Sequence, residues 1–181
     1  MRFGGRPDHG STRQFRKVAT GGTFDHIHAG HGAILERSFE VGDEVVIGLT
    51  SDEFVAKTGK QPDNSYVRRD HELEEYIKKN FPQRTFIIAK LNDYFGPGIL
   101  DPGIQALVAS PETSIRIGLA NKLREAKGYP PLTLVTIDWV KAEDGKPLSS
   151  TRIRKGEVDH AGRIIRRPKR LARAPQVEKG I

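Results

Sequence analysis

Cysteine is absent from the 181-residue chain. That excludes disulfides, thiolate metal sites and a cysteine nucleophile, and it leaves the compartment open. No run of about 18 apolar residues occurs, so no membrane span is expected. Before Lys17 there are basic residues but no apolar stretch, so the start does not read as a secretory signal. A cytoplasmic enzyme fits these absences best. Aromatic residues make up only 7% of the chain, little material for the stacked platforms of a single-strand RNA binder. The length suits one domain with a real core and is short for two.

Charge is plentiful but unevenly placed. The net charge of +7 invites a nucleic-acid reading. Residues 1–17 hold five Arg or Lys against one Asp, and residues 163–181 hold seven against one Glu. Residues 18–162 hold 18 basic and 21 acidic side chains, so the body is slightly acidic. A three-part division follows: a flexible basic arm over 1–16, a folded domain over 17–160 and a basic tail over 161–181. Frayed, solvated termini are expected there. Contact of the tail from Arg163 to Arg173 with RNA is not expected, nor is DNA binding.

Between the arms, strands alternate with helical patterns. Strands are expected near Arg16–Thr20, Glu44–Thr50, Arg84–Ala89, Ile104–Ala109 and Leu132–Ile137. Gly21-Gly22 should break the first, and Gly42-Asp43 should form a turn before the second. A helix is expected from Gly30 through Phe39, burying Ile34, Leu35 and Phe39. Ser51 should cap a short helix through Ala56. Tyr66 to Asn80 reads as a helix with Val67, Leu73, Tyr76 and Ile77 inward. Asn92 to Gly103 reads as a long loop. A further helix should run from Pro111 to about Lys127, and Ser149 or Ser150 should cap a last one. This alternation predicts an α/β fold, an open five-stranded parallel sheet with helices on both faces. Such sheets bind ligands outside the carboxyl ends of their strands.

Two constellations fall at that edge. After the first strand stands Thr20-Gly-Gly-Thr-Phe-Asp-His-Ile-His-Ala-Gly-His31. Its glycines allow a tight turn, Thr23 adds a hydroxyl, and the next helix should point free N–H groups at the same space, which suits phosphate. His28 and His31 are three apart and can face one side, donating to phosphate oxygens or, if charged, offsetting charge in phosphoryl transfer. The same two histidines with Asp25 could instead hold a metal, and His26 reads as a surface residue. The spacing fits neither Gly-x-Gly-x-x-Gly nor a Walker loop. After the fifth strand stands Lys146-Pro-Leu-Ser-Ser-Thr-Arg-Ile-Arg154, three hydroxyl residues at a helix start followed by two arginines. It can cradle outer phosphates, or it can be a plain helix cap.

Gly-Thr-Phe-Asp with His28-Ala-Gly-His31, followed downstream by Ser149-Ser-Thr-Arg-Ile-Arg154, closely resembles the signatures of the nucleotidylyltransferase superfamily. Leu148 stands where that family has isoleucine. Phe95-Gly-Pro-Gly-Ile-Leu-Asp-Pro102, Ala106–Thr113 and Asn121–Gly128 resemble one branch, phosphopantetheine adenylyltransferase of the archaeal and eukaryotic type. Gly98 departs from the threonine often found in that loop. The resemblance spans about residues 17–160. It implies a Rossmann-like nucleotidylyltransferase fold. It also implies the joining of ATP and 4′-phosphopantetheine to dephospho-CoA and diphosphate, in coenzyme A biosynthesis. The acceptor phosphate would attack the ATP α-phosphorus in line, with Mg2+ carried by ATP and no metal held by the protein.

Together, the residues and the resemblance assign roles. His28 and His31 would hold ATP phosphates and the transition state, and Thr23 the attacking phosphate. Gly22, Phe24 and Asp25 would approach the nucleotide, mainly through backbone. Ser149, Ser150, Thr151 and Arg152 would cradle the β- and γ-phosphates. The resemblance also implies a lysine after the second strand; Lys57 fits, with Lys60 close behind, both on the acceptor. Glu112, Arg116 and Arg154 are weaker candidates. Coenzyme A itself is a further expected ligand, and the oligomeric state stays open. Competing functions are the same chemistry on FMN, nicotinamide mononucleotide or glycerol 3-phosphate, and an RNA-binding protein on this fold.

Overall fold

The computed structural model describes residues 13–165. The basic stretches 1–12 and 166–181, and with them most of the two expected arms, lie outside the described residues. Five strands form one sheet: β1 (Phe15–Gly22), β2 (Gly42–Thr50), β3 (Thr85–Leu91), β4 (Ala106–Ala109) and β5 (Thr133–Thr136). Every pairing is parallel and the order is β3-β2-β1-β4-β5. The chain therefore builds outward from β1 to β3, then returns to the other side of β1. That reversal opens a crevice beyond the carboxyl ends of β1 and β4.

Helices cover both faces. On one face α1 (Ala29–Val41) and α3 (Tyr66–Asn80) pack on Val18, Val45, Ile47 and Leu49. On the other, Ala19, Val46 and Leu107 meet Ile99 and Ile117, from α4 (Gly96–Ile99) and α6 (Ile117–Glu125). Alternate residues of β1 and β2 thus enter different cores, which is why both strands read as unbroken apolar runs. The short helices α2 (Asp52–Lys57), α5 (Pro111–Ser114) and α7 (Ser150–Arg154) stand at the carboxyl edge. Ser51 caps α2 and Ser149 caps α7, each hydroxyl accepting an amide three residues on, as their positions predict. No helix among the described residues is long and apolar enough to cross a membrane.

Several local expectations are corrected. Gly21 and Gly22 do not break β1; they pair with Gly48 and Leu49. Gly21 serves close approach, because a Cβ there would lie 3.1 Å from the Gly48 carbonyl oxygen. Gly42-Asp43 is no turn: α1 runs directly into β2, and a Cβ on Gly42 would lie 2.6 Å from Val18 Cγ2. Val67 is 76% exposed, while Arg69 is wholly buried. Arg69, Leu73 and Ile77 share the four-residue spacing of one helix face, and Val67 is out of phase with it. The loop over 92–103 contains α4. The helix expected over 111–127 is two, divided at Ile115 and Arg116, where Arg116 lays its guanidinium 4.2 Å over the Tyr94 ring.

Arg124, also wholly buried, explains how that irregular region holds together. Its guanidinium donates to the carbonyl oxygens of Ile99 (2.5 Å), Asp101 (2.9 Å), Ile104 (3.0 Å) and Pro130 (2.8 Å). One side chain thus reaches four loop carbonyls, of which Asp101's also accepts from the Ile104 amide (3.2 Å). Replacing Arg124→Met should lower the unfolding free energy by about 2–4 kcal/mol, because the buried Ile104 acceptor and the part-buried ones lose a charged donor. Urea titration measures this, and an unchanged midpoint would show that the loop holds without it.

Candidate active site

The carboxyl-edge crevice is a cleft of about 630 Å³. Its floor is the end of β1, from Thr20 to Asp25, with His28, Gly30 and His31 at the start of α1. Lys60, Phe54, Leu91, Tyr94 and Ile99 line the β2–β3 side. Glu112, Arg116, Trp139 and Val140 line the β4–β5 side, and Ser149, Ser150, Thr151 and Arg154 close the remaining wall. The structure therefore brings Gly22, Thr23, Phe24, Asp25, His28 and His31 into one cavity with the second motif, more than 100 residues downstream.

The sharp turn lies beyond the glycines. Phe24 (φ 50°) and His26 (φ 49°) both take left-handed backbone, on either side of Asp25. Such conformations cost energy in residues with a Cβ and persist only where surroundings enforce them. Here Asp25 enforces them. One carboxylate oxygen accepts from the Asp63 amide (3.1 Å) and Arg154 (2.9 Å). The other accepts from the Asn64 amide (3.3 Å) and side chain (2.9 Å). The Asp25 carbonyl accepts from Ser150 Oγ at 2.5 Å. Burial pushes the Asp25 pKa up, but the Asp63 and Asn64 bonds, the nearby His26 charge and Arg154 outweigh it, and the pKa lies below the ordinary carboxylate value. Thr23 is held in turn by Arg69, which donates to its carbonyl at 2.7 Å, to the Asn64 carbonyl and to Asp52.

His28 caps α1. Its Nδ1 accepts from the Gly30 amide at 3.1 Å, so the neutral ring carries its proton on Nε2. The His28 and His31 rings stack with centroids 4.0 Å apart, and Phe24 flanks His31 at 5.0 Å. Burial, then the charges of His160 and His26, lowers the His28 pKa to about 4. Burial, then His28, lowers that of His31 to about 3. Both imidazoles are thus neutral near pH 7 in the ligand-free protein. The helix amides are less free than expected: Ala29 N–H donates to the His160 carbonyl (3.2 Å), and Gly30 N–H is taken by His28. Three buried polar atoms on the cleft wall have no partner among the described residues: His31 Nδ1, Thr20 Oγ1 and Thr50 Oγ1. Unmet polarity of this kind is what a polar ligand or ordered water satisfies.

Arg152 and Lys57 stand elsewhere. Arg152 bonds Asp144 (2.6 Å) and Glu157 (3.0 Å) outside the cleft. Arg154 takes the inward place because residues 150, 151 and 154 share one face of α7, and residue 152 turns away. Lys57, in the last turn of α2, is exposed and off the cleft wall; Lys60 is on it, 3.5 Å from Glu112 across the mouth. The metal grouping is also different. Among the described residues, those with convergent ligand atoms are Asp25, His26 and Asp63, not His28 and His31. Asp25 already has four donors on its four lone pairs. Phe54, Tyr94, Trp139 and Arg69 were not singled out from sequence. Trp139 had a usable signal, its place just past the end of β5.

A family model described as cytidylyltransferase-like matches residues 19–156. The chain is 42% identical over 155 residues to the phosphopantetheine adenylyltransferase of Methanothermobacter thermautotrophicus, across 86% of this chain and 93% of that protein. Identity is 44% over 151 residues with the phosphopantetheine adenylyltransferase of Methanosarcina mazei, across 82% and 96% respectively. Among solved structures, a protein of unknown function from Archaeoglobus fulgidus is similar with a TM-score of 0.61 and 28% identity, across 74% of this chain and 99% of that one.

The two depressed histidines set an acid dependence. Below pH 6.5 the unfolded chain takes up protons that the folded site refuses until about pH 4 for His28 and about pH 3 for His31. Stability of the ligand-free protein should therefore fall as the pH drops through that window. Urea midpoints of the wild type and His31→Asn between pH 7 and 4 should converge on acidification. Parallel curves would mean that His31 does not stay neutral.

Proposed function

The chain belongs to the cytidylyltransferase-like family and, within it, to the phosphopantetheine adenylyltransferases. From that premise we propose that its cleft joins ATP and 4′-phosphopantetheine into dephospho-CoA and diphosphate by direct attack. An oxygen of the acceptor phosphate forms the new bond to the ATP α-phosphorus, and the bond from that phosphorus to the bridging oxygen of diphosphate breaks. The nucleophile is already ionised, so the protein has only to align two anions and stabilise the added charge. A cytoplasmic setting, where ATP is supplied, belongs to the same reading.

One observation carries it most directly. The Asp25–Arg154 and Ser150–Asp25 bonds fuse the two motifs into a single wall facing the stacked histidines. His28 offers Nε2–H to a phosphate oxygen. Both imidazoles are neutral before substrate binds, and a triphosphate beside them raises their pKa values and favours a proton on one of them. Phe54, Leu91, Tyr94 and Ile99 give an apolar wall suited to an uncharged arm, while Trp139 offers a flat face to a base across the cleft. Lys60, at the mouth, suits the acceptor phosphate better than Lys57 does. The buried carboxylate beside the histidines has no lone pair to spare. That fits magnesium held by the triphosphate, where it would offset charge, rather than by the protein.

His31→Ala should lower kcat at least about 100-fold with the fold kept. Diphosphate release, followed by near-ultraviolet circular dichroism of the same sample, measures both. A panel of phosphopantetheine, FMN, nicotinamide mononucleotide and glycerol 3-phosphate with ATP and CTP fixes the substrates. Turnover confined to another acceptor would overturn the assignment.

A further inference from the structure

Residues 141–165 do more than carry α7. Two isolated antiparallel bridges, Lys141 with Pro147 and Val158 with Ile164, close around a small core of Ala142, Leu148 and Val158. From the loop after Val158, His160 reaches the start of α1. Its Nδ1 lies 2.8 Å from the Ile27 carbonyl oxygen, and because a carbonyl only accepts, that nitrogen carries the proton. The His160 carbonyl in turn accepts from the Ala29 amide at 3.2 Å. Ile27 and Ala29 flank His28, so one residue grips the peptide on both sides of it. From the other direction His28 is fixed by the Gly30 amide and by its stack on His31. His160 is absent from the cleft wall and reaches a substrate only through what it holds.

We propose that His160 is a positioning residue: by holding the Ile27 and Ala29 peptide groups it sets the direction in which His28 presents Nε2–H to the transferring phosphate. This rests on the reading that His28 acts on the phosphates. A misdirected donor loses more in the transition state than in the ground state, so the effect belongs in kcat and not in KM. Substitution at 160 removes the side-chain bond, the ring contact with His26 (centroids 5.9 Å apart) and the charge that lowers the His28 pKa, but it leaves the Ala29 amide bonded to backbone, and a partial loss is therefore expected.

The test is steady-state kinetics of His160→Ala, His160→Asn, His160→Gln, His28→Ala and the His28→Ala/His160→Ala pair, with a urea midpoint for each. His160→Ala should lower kcat about fivefold and leave both KM values within about twofold. His160→Asn, whose amide nitrogen takes the Nδ1 position, should recover most of the rate, and His160→Gln should not. Adding His160→Ala to His28→Ala should cost nothing more, since its route of action is already gone. A full rate in His160→Ala, or an equal loss in both backgrounds, would overturn the inference with the His28 reading intact. Full activity in His28→Ala would overturn that reading, and the inference with it.

Discussion

The buried carboxylate of Asp25 is the constraint on which the site depends. A buried anion is stable only when its lone pairs are met, and each of its four donors comes from a segment the site needs. Asp63 and Asn64 bring in the loop that follows Lys60. Arg154 brings in α7, from the far end of the chain. The carboxylate also sits between two left-handed residues, so the same bonds that join the segments offset the strain of the turn. Remove the charge, and the turn, the loop and α7 lose their common anchor.

Two buried arginines extend this frame by the same means. Arg69 satisfies the Thr23 and Asn64 carbonyls and Asp52, behind the turn at Asp25. Arg124 does so for the loop beside β4. A planar fork with five fixed donors suits scattered carbonyls better than an ammonium group does. In both cases a buried guanidinium donates to irregular backbone, which lets the carboxyl edge carry long loops with their acceptors met. Rigid loops matter there because most of the cleft's polar side chains, from Thr23 to His31 and from Ser149 to Arg154, sit on loops and helix ends.

The five strands were legible because their apolar runs are short and bounded, and the caps of Ser51 and Ser149 were legible because a hydroxyl before a helical pattern has a local cause. Strand order was not, since pairing is a long-range choice. The inward turn of Arg69 in place of Val67 needed the tertiary partners that satisfy its charge. Arg152 and Arg154 are equivalent by composition; only the helical phase of a five-residue segment, itself set by Ser149, separates them. The glycines misled for a related reason. Gly21 is required by the nearness of Gly48 across the sheet, a contact that local sequence does not contain, so its function as a spacer read as that of a turn.

Every cationic group on the cleft wall is matched to a protein partner: Arg154 to Asp25, Lys60 to Glu112, Arg116 to the Tyr94 ring. Burial lowers the pKa of both imidazoles, so they add no positive charge near pH 7 in the empty cleft. A cluster of free cations would destabilise the empty fold by repulsion, so positive charge has to be released or created by the ligand itself. The partners differ in how readily they release. Glu112 and Lys60 are both well exposed and 3.5 Å apart, and water can replace either partner at little cost. Asp25 is buried, and losing Arg154 would strand a carboxylate away from solvent. Lys60 is therefore the cation free to move, whereas Arg154 is fixed in place by Asp25 and by Thr151, whose hydroxyl accepts from its guanidinium at 3.1 Å.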